Sequence, residues 1–222
     1  MHELALLKLL HLTSPALPIG AYAYSNGQEY AVDCGWITTE QELAEWILGL
    51  MQHSLAGLDL PILIRLFAAW TANEHSQICY WNDYIRANRE TSELLLEDEQ
   101  LGLALQRLLI SLEIPRAHAP LLTYPSLVCM FALAGVHWEI PLEELLRGFV
   151  WSWLENQITA ATKTVPLGQS QAQQLLTKLM VEIPAICQYA NTVNDDDIGV
   201  GLPAVAIASA KHERQYSRLF RS

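Results

Sequence analysis

The residues from 14 to 29, here called the opening stretch, constrain the fold more than any other part of the sequence. Two prolines and two glycines within this short segment forbid a continuous helix. The segment is nevertheless apolar and carries no formal charge before its last residue. Its large apolar side chains are Leu17, Ile19, Tyr22 and Tyr24. An irregular apolar segment has to pack, either across the core of its own domain or against a partner.

Length and composition favour one domain that works in complexes. A chain of 222 residues can build one sizeable core, so a single domain over residues 1–222 is the default expectation. Hydrophobic residues make up 51% of the chain and charged residues only 17%. We expect some apolar surface to remain after the core is filled, and such surface is typical of interaction proteins.

The charge distribution separates an acidic body from a basic end. The formal net charge is −11, which is unfavourable for binding nucleic acid or an anionic membrane. Four of the 13 Lys and Arg residues nevertheless fall within the last twelve positions. They are Lys211, Arg214, Arg218 and Arg221. This basic segment is either a solvated terminus or an arm that binds a partner.

Cysteine spacing and the N-terminal pattern predict a cytoplasmic protein. The four cysteines are scattered without a C-x-x-C pair, as is typical of free thiols in a reducing compartment. Glu3 and Lys8 interrupt any signal-peptide pattern at the N-terminus. The longest uncharged stretch, residues 117–138, is broken by Pro120 and Pro125, so a buried core helix is expected there rather than a membrane span.

Helical periodicity dominates the first half of the chain. Residues 3–12 predict a short helix that is apolar on nearly every side and therefore largely buried. Thr39 and Glu42 form a capping-box pattern before a helix that we expect to end at Gly57. Asp59 is then the expected cap of the next helix. Further helices are predicted over residues 76–96 and over a segment that starts near 97 and ends before Pro115.

The second half shows the same pattern. Residues 142–154 form the clearest apolar stripe of 3.6-residue period, and the helix they predict is broken at 165–168. A helix is expected over 169–189, with a kink at Pro184, and another over 202–210. No segment alternates with period two. The predicted fold is therefore all-α, a single-domain bundle of roughly eight to ten helices.

Motifs for catalysis are missing from the sequence. It contains no phosphate-binding G-x-x-x-x-G-K-[ST] loop, no H-E-x-x-H pair and no G-x-S-x-G nucleophile elbow. The seven histidines are dispersed, and the acidic run 195–197 has no further ligand at an EF-hand-like interval. We therefore favour an interaction protein without a catalytic site. A metal-dependent helical hydrolase, whose ligands come together only in space, is the enzyme alternative.

Four blocks of sequence, in order and in register, carry a resemblance to a known family. They are Ser14-Pro15-x-Leu17-Pro18-Ile19-Gly20-x-Tyr22-x-Tyr24-Ser25-x-Gly27-x-Glu29, then Ala31-Val32-x-x-Gly35-Trp36-Ile37, then Val165-Pro166-Leu167-Gly168-Gln169 with Gln173, and finally His212-Glu213-x-Gln215-Tyr216-Ser217-Arg218-Leu219-Phe220-Arg221-Ser222. Together they resemble the signatures of the urease accessory protein UreF family. The last block is called the tail below.

The resemblance implies an all-α homodimer that acts as a scaffold. Members of this family bridge the accessory protein UreD, also called UreH, and the nickel-carrying GTPase UreG. The assembly acts on apo-urease and delivers nickel to it. The resemblance implies neither a catalytic residue nor a cofactor or metal site in this chain. An alternative is that the chain activates the GTPase through a tail arginine.

The resemblance also implies roles for individual residues. Tyr22 and Arg218 match positions implicated in forming the complex with UreG. Tyr216, Leu219 and Phe220 match a tail implicated in contacting UreD/UreH. Tyrosine and arginine are common at the energetic centres of interfaces.

Within the opening stretch, the resemblance favours an internal anchor followed by a contact residue. We expect Leu17, Pro18 and Ile19 to anchor the segment internally and Tyr22 to reach a partner. The place of Tyr24 stays open between core and surface.

The sequence departs from the family pattern at a few positions. Gln28 stands where leucine is usual. In the block 93–98, Leu95 replaces an arginine and Asp98 a serine. Thr123 and Val128 stand where a histidine and a glycine are common. No function is therefore assigned to the middle positions.

Overall fold

A computed structural model of the protein describes residues 3–118, 122–199 and 201–222. Within these ranges the chain forms helices, turns and loops without a β-strand, which confirms the all-α prediction. The α-helices are α1 Glu3–Leu12, α2 Gln28–Asp33, α3 Glu40–Gly49, α4 Leu60–Ala72, α5 His75–Ala87, α6 Ser92–Ser111, α7 Leu127–His137, α8 Leu142–Thr164, α9 Gln169–Met180, α10 Ile183–Ala190 and α11 Pro203–His212.

The helix α7 lies at the centre of the hydrophobic core. Every residue from 128 to 135 is buried, and the helix packs against α4 and α6. Ser126 caps its first turn by accepting a hydrogen bond from the Cys129 amide at 3.1 Å. The expectation of a buried core helix in this uncharged stretch is confirmed. Pro120, which we expected to break the stretch, lies outside the described residues.

The chain does not break between α3 and α4, contrary to the sequence prediction. A π-helical segment, Leu50–Asp59, joins the two helices, and Gly57 lies inside it. Asp59 has helical backbone angles and makes no side-chain cap, because its carboxylate binds Arg89 instead. The continuous run Glu40–Ala72 is long and apolar enough to span a membrane, but 67% of its most apolar window is buried, as in the core helix of a globular domain.

Two predicted helices are each divided into two. The predicted helix 76–96 ends at Ala87, and Thr91 caps a new helix by accepting a hydrogen bond from the Leu94 amide at 3.2 Å. The predicted helix 169–189 is interrupted at residues 181–182, which form a turn. Pro184 lies in the first turn of α10, where its missing N–H costs nothing, so it starts a helix rather than kinking one.

The helix α1 is present as predicted but is not largely buried. Only Ala5 and Leu12 are fully enclosed. Four of its leucines are more than 40% exposed, namely Leu4, Leu6, Leu7 and Leu10. The helix lies on the surface against α7 and α8, and two neighbours cannot cover a helix that is apolar all round.

A buried ion cluster joins the start of α4 to α6. The Arg89 guanidinium lies 2.7 Å from an oxygen of Asp59 and 3.4 Å from an oxygen of Asp98. Both aspartates are about 4% exposed. Burial raises the pKa of Asp98, and the positive charge of Arg89 opposes that rise. Asp59, Arg89 and Asp98 are called the arginine cluster below.

Candidate partner-binding site

The tail lies directly along the opening stretch. The Arg221 amide donates a hydrogen bond to the Ala23 carbonyl at 2.8 Å, and the Ser25 amide donates to the Ser222 carbonyl at 2.9 Å. The Ser25 hydroxyl donates to the same carbonyl at 2.6 Å. Two sequence blocks separated by almost the whole chain therefore form one structural unit.

Glu29 binds the backbone of the tail. Its carboxylate accepts hydrogen bonds from the Leu219 amide at 2.7 Å and from the Phe220 amide at 2.9 Å. Glu29 is only 6% exposed, and unpaired amides at such a depth would be costly. The single charged residue of the opening stretch is thus an acceptor built for the tail backbone.

A second carboxylate and a histidine complete the attachment. Glu93 of α6 binds the Arg218 guanidinium at 2.6 Å and the Nδ1 atom of His212 at 2.8 Å. The Nε2 atom of His212 lies 3.0 Å from Glu29. The four residues Glu29, Glu93, His212 and Arg218 are called the tail clamp below.

The last residue of the sequence contacts a third carboxylate. The Ser222 hydroxyl donates to Glu97 at 2.6 Å, and the Asn26 side-chain amide donates to the same carboxylate at 2.8 Å. Burial raises the pKa of Glu97 to about 7. The side-chain oxygen of Asn26 in turn accepts a hydrogen bond from the Trp153 indole N–H at 3.0 Å, which connects the opening stretch to α8.

Backbone geometry explains one glycine of the opening stretch. Gly27 has φ +78°, and a Cβ atom there would lie 3.1 Å from the Cβ atom of Ala208 on α11. Glycine therefore permits both the turn into α2 and the close approach of α11. The start of α2 and the end of α11 are in this way held beside each other, with the tail clamp between them.

The structure separates the predicted site residues by exposure. Tyr22 is 65% exposed, Leu219 is 69% exposed and Tyr216 is fully exposed. Arg218 keeps 39% of its side chain exposed while it binds Glu93. Phe220 is 5% exposed, and the Lys163 ammonium lies over its ring.

Burial in the opening stretch agrees with most of the expected anchors. Leu17 is buried and Ile19 is half-buried, but Pro18 is exposed, contrary to expectation. Pro18 stands at the corner of a tight turn, in which the Ile19 amide donates to the Leu17 carbonyl at 2.8 Å, so its ring points outward. Tyr24 is a core residue, and burial raises the pKa of its phenol.

An apolar cleft opens beside Tyr22. Its volume is about 130 Å³, and Leu17, Ile19, Phe131 and Trp153 contribute to its lining. An exposed tyrosine at the edge of an apolar cleft is a common arrangement in protein interfaces. Among the described residues, no three His, Cys, Asp or Glu side chains are placed to hold a metal ion.

Sequence reasoning missed the acidic half of the site. Glu93 and Glu97 were left without a role because the block around them departs from the family pattern. A signal was nevertheless present, since residues four apart on a helix share a face. Glu93 and Glu97 therefore lie on one face of α6, and an acidic face of this kind complements a basic tail.

Comparisons with known proteins agree with the resemblance to the UreF family. The sequence profile of the UreF family matches residues 37–180. Three relatives are each named urease accessory protein UreF. The protein of Teredinibacter turnerae is 61% identical over 98% of both chains. That of Hahella chejuensis is 48% identical over 100% of both, and that of Pseudoalteromonas translucida is 47% identical over 99% of this chain and 95% of its own. On the strength of this full-length similarity, the chain belongs to the UreF family of urease accessory proteins.

Proposed function

We propose that the protein is a cytoplasmic scaffold for urease maturation. In this role it bridges UreD/UreH and the GTPase UreG, acts as a homodimer and is required for nickel insertion into apo-urease. It is not itself an enzyme. The observation that carries the proposal is the junction of the tail with the opening stretch, from which Tyr22, Tyr216 and Leu219 project.

We propose that the exposed residues contact two different partners. Following the family resemblance, we assign Tyr22 and the free part of Arg218 to UreG; a tyrosine ring and a guanidinium can supply an apolar face and a fork of donors to such a contact. Tyr216 and Leu219 are assigned to UreD/UreH. Phe220, whose ring is buried beneath Lys163, supports that contact by anchoring the tail rather than by touching the partner.

The leucine face of α1 supports an oligomeric protein. Exposed leucines at positions 4, 7 and 10 repeat at helical spacing and form an apolar stripe that water disfavours. Burial of such a stripe in an assembly recovers roughly 25 cal/mol for each Å² removed from water. This stripe favours a protein that works in a complex.

The scaffold is tested by assembly with the purified partners. We expect the chain, UreD/UreH and UreG to co-elute in size-exclusion chromatography, and Tyr22→Ala to reduce the UreG content of the peak. Tyr189→Ala is the matched control, because Tyr189 is also an exposed tyrosine, 56% accessible, on the distant helix α10. Absence of any shared peak, or equal loss in both variants, would contradict the proposal.

Activation of the GTPase by a tail arginine is the second candidate. Arg218 retains exposed surface, as such a role requires, but it is already paired with Glu93 at 2.6 Å. Insertion into a GTPase site would have to break that pair. The alternative predicts that this protein accelerates GTP hydrolysis by UreG and that Arg218→Ala abolishes the gain. An unchanged hydrolysis rate would reject it.

A further inference from the structure

The contacts of His212 bear on whether its ring is neutral or carries a proton on both nitrogens. Its ring is fully buried, with Nδ1 at 2.8 Å from Glu93 and Nε2 at 3.0 Å from Glu29. A neutral imidazole has one N–H donor and one lone-pair acceptor, and an ionised carboxylate only accepts. If His212 were neutral, one of its two contacts would place a lone pair against a carboxylate oxygen.

The remaining contacts place the extra proton on the ring. Both oxygens of Glu29 accept tail amides, from Leu219 and Phe220. The other oxygen of Glu93 accepts from Arg218. Each carboxylate is therefore surrounded by donors and suits the ionised form. With an imidazolium, two negative and two positive charges balance in the tail clamp; without it, one buried negative charge is left over.

We infer that His212 positions the tail as an imidazolium, so that docking of α11 and the tail onto α2 and α6 takes up one proton. Loss of the proton drives one carboxylate away from the ring. Because Glu29 and Glu93 also hold the tail, that movement weakens their bonds to Leu219, Phe220 and Arg218. His212 thereby controls the presentation of the tail without touching a partner.

Other charged groups also face the tail. Glu97 of α6 accepts from Ser222, and Lys163 of α8 lies 5.4 Å from the Phe220 ring centroid. Arg221 lies beside the Tyr24 hydroxyl. Of these, Glu97 has its pKa raised to about 7, within the pH range of the test below. A test of His212 must separate its proton from that of Glu97.

The test is amide hydrogen exchange at Leu219 and Phe220 in the full-length chain without partners. Between about pH 6 and pH 8.5, release of one proton on undocking would lower the protection factor by up to about tenfold per pH unit. We expect His212→Gln, whose amide mimics a neutral ring, to show lower protection without this slope. His75→Gln, at an exposed histidine on α5, should match the wild type.

Two further measurements test whether the coupled proton belongs to His212. Glu97→Gln should retain the slope above neutral pH, because the coupled proton belongs to His212. The ¹⁵N shifts of the His212 ring should show both nitrogens protonated at pH 6, which can be read even if the glutamine variant fails to fold. A neutral ring at pH 6, a flat wild-type profile or an unchanged slope in His212→Gln would overturn the inference.

An effect of the His212 proton on the recruitment of UreG rests on the proposed function, whereas the exchange measurement does not depend on that function. A chain whose tail docks with proton uptake and yet binds no partner would refute only the scaffold role. A chain that recruits UreG without any proton dependence at its tail would refute only this inference.

Discussion

The arginine cluster and the tail clamp solve the same electrostatic problem with different cations. Each buries two carboxylates contributed by separate helices. The arginine cluster places one cation, Arg89, between Asp59 and Asp98, and this side chain stays charged at any ordinary pH. The tail clamp uses His212, which can lose its charge, and Arg218, which is partly exposed. The first arrangement fixes the helical body permanently, whereas the second holds a segment that can be released.

The largest expected effect is on the arginine cluster. Arg89→Met should lower the free energy of unfolding by about 3–5 kcal/mol, because two buried carboxylates lose their cation. Urea denaturation followed by circular dichroism measures this. Arg107→Met, at an exposed arginine of α6, is the control and should stay within about 0.5 kcal/mol of the wild type. An Arg89→Met variant as stable as the control would show that the cluster does not hold the body.

Glu97 lies between the two clusters and should make stability depend on pH. Its pKa is raised from 4.5 to about 7 by burial, so the ionised form is disfavoured in the folded protein. Its stabilising contribution is complete below pH 4.5 and disappears as pH rises through about 7, a change of up to about 3 kcal/mol. Glu97→Gln should remove this component from a plot of unfolding free energy against pH. A profile identical to the wild type would contradict the assignment.

Removal of Glu29 should release the tail while the body stays folded. Glu29→Ala deletes the acceptor of two backbone amides and of His212, at a cost on the order of 2 kcal/mol for tail docking. Trypsin should then cut after Arg214 and Arg218 much faster than in the wild type, with helical circular dichroism retained. Glu40→Ala, at an exposed residue of α3, should leave the cleavage rate unchanged. Equal cleavage in both variants would mean that Glu29 does not hold the tail.

The smallest effect on stability is expected at Arg218. Arg218→Ala breaks a partly exposed ion pair, and Glu93 keeps its bond to His212, so the change should stay below about 1 kcal/mol. Recruitment of UreG should nevertheless weaken. Arg214→Ala, at an exposed arginine of the same tail, is the matched control for both measurements. Loss of the helical signal in Arg218→Ala would show that the residue is structural.

Sequence patterns predicted the structural features that depend on residues close together in the chain. The capping box at Thr39, the buried helix α7 and the stripe of α8 all depend on residues close together in the chain, and each is present. The predicted end of a helix at Gly57 was wrong, because Gly57 lies inside the π-helical segment; its carbonyl accepts the amide of Gly199, far away in the sequence, at 3.1 Å. The π-helical geometry that carries the chain past Pro61 has no local signal either.

The site was predictable in its parts and not in its assembly. Tyr22, Tyr216 and Leu219 are exposed, which the proposed contacts require, but spacing alone could not show that the tail lies on the opening stretch. Glu29 and Glu93 are separated by more than sixty positions, and only tertiary packing brings both to His212. A buried histidine between two acids therefore has no signature in the sequence.

We propose that the docked tail and the opening stretch act together as the surface that recruits UreG. The most direct measurement is the affinity of UreG for this protein bound to UreD/UreH, compared between the wild type and Glu29→Ala. That variant keeps Tyr22, Tyr216 and Arg218 but releases the tail. We expect at least a tenfold loss of affinity, about 1.4 kcal/mol, with Glu40→Ala unaffected. Equal affinity in the wild type and Glu29→Ala would contradict it.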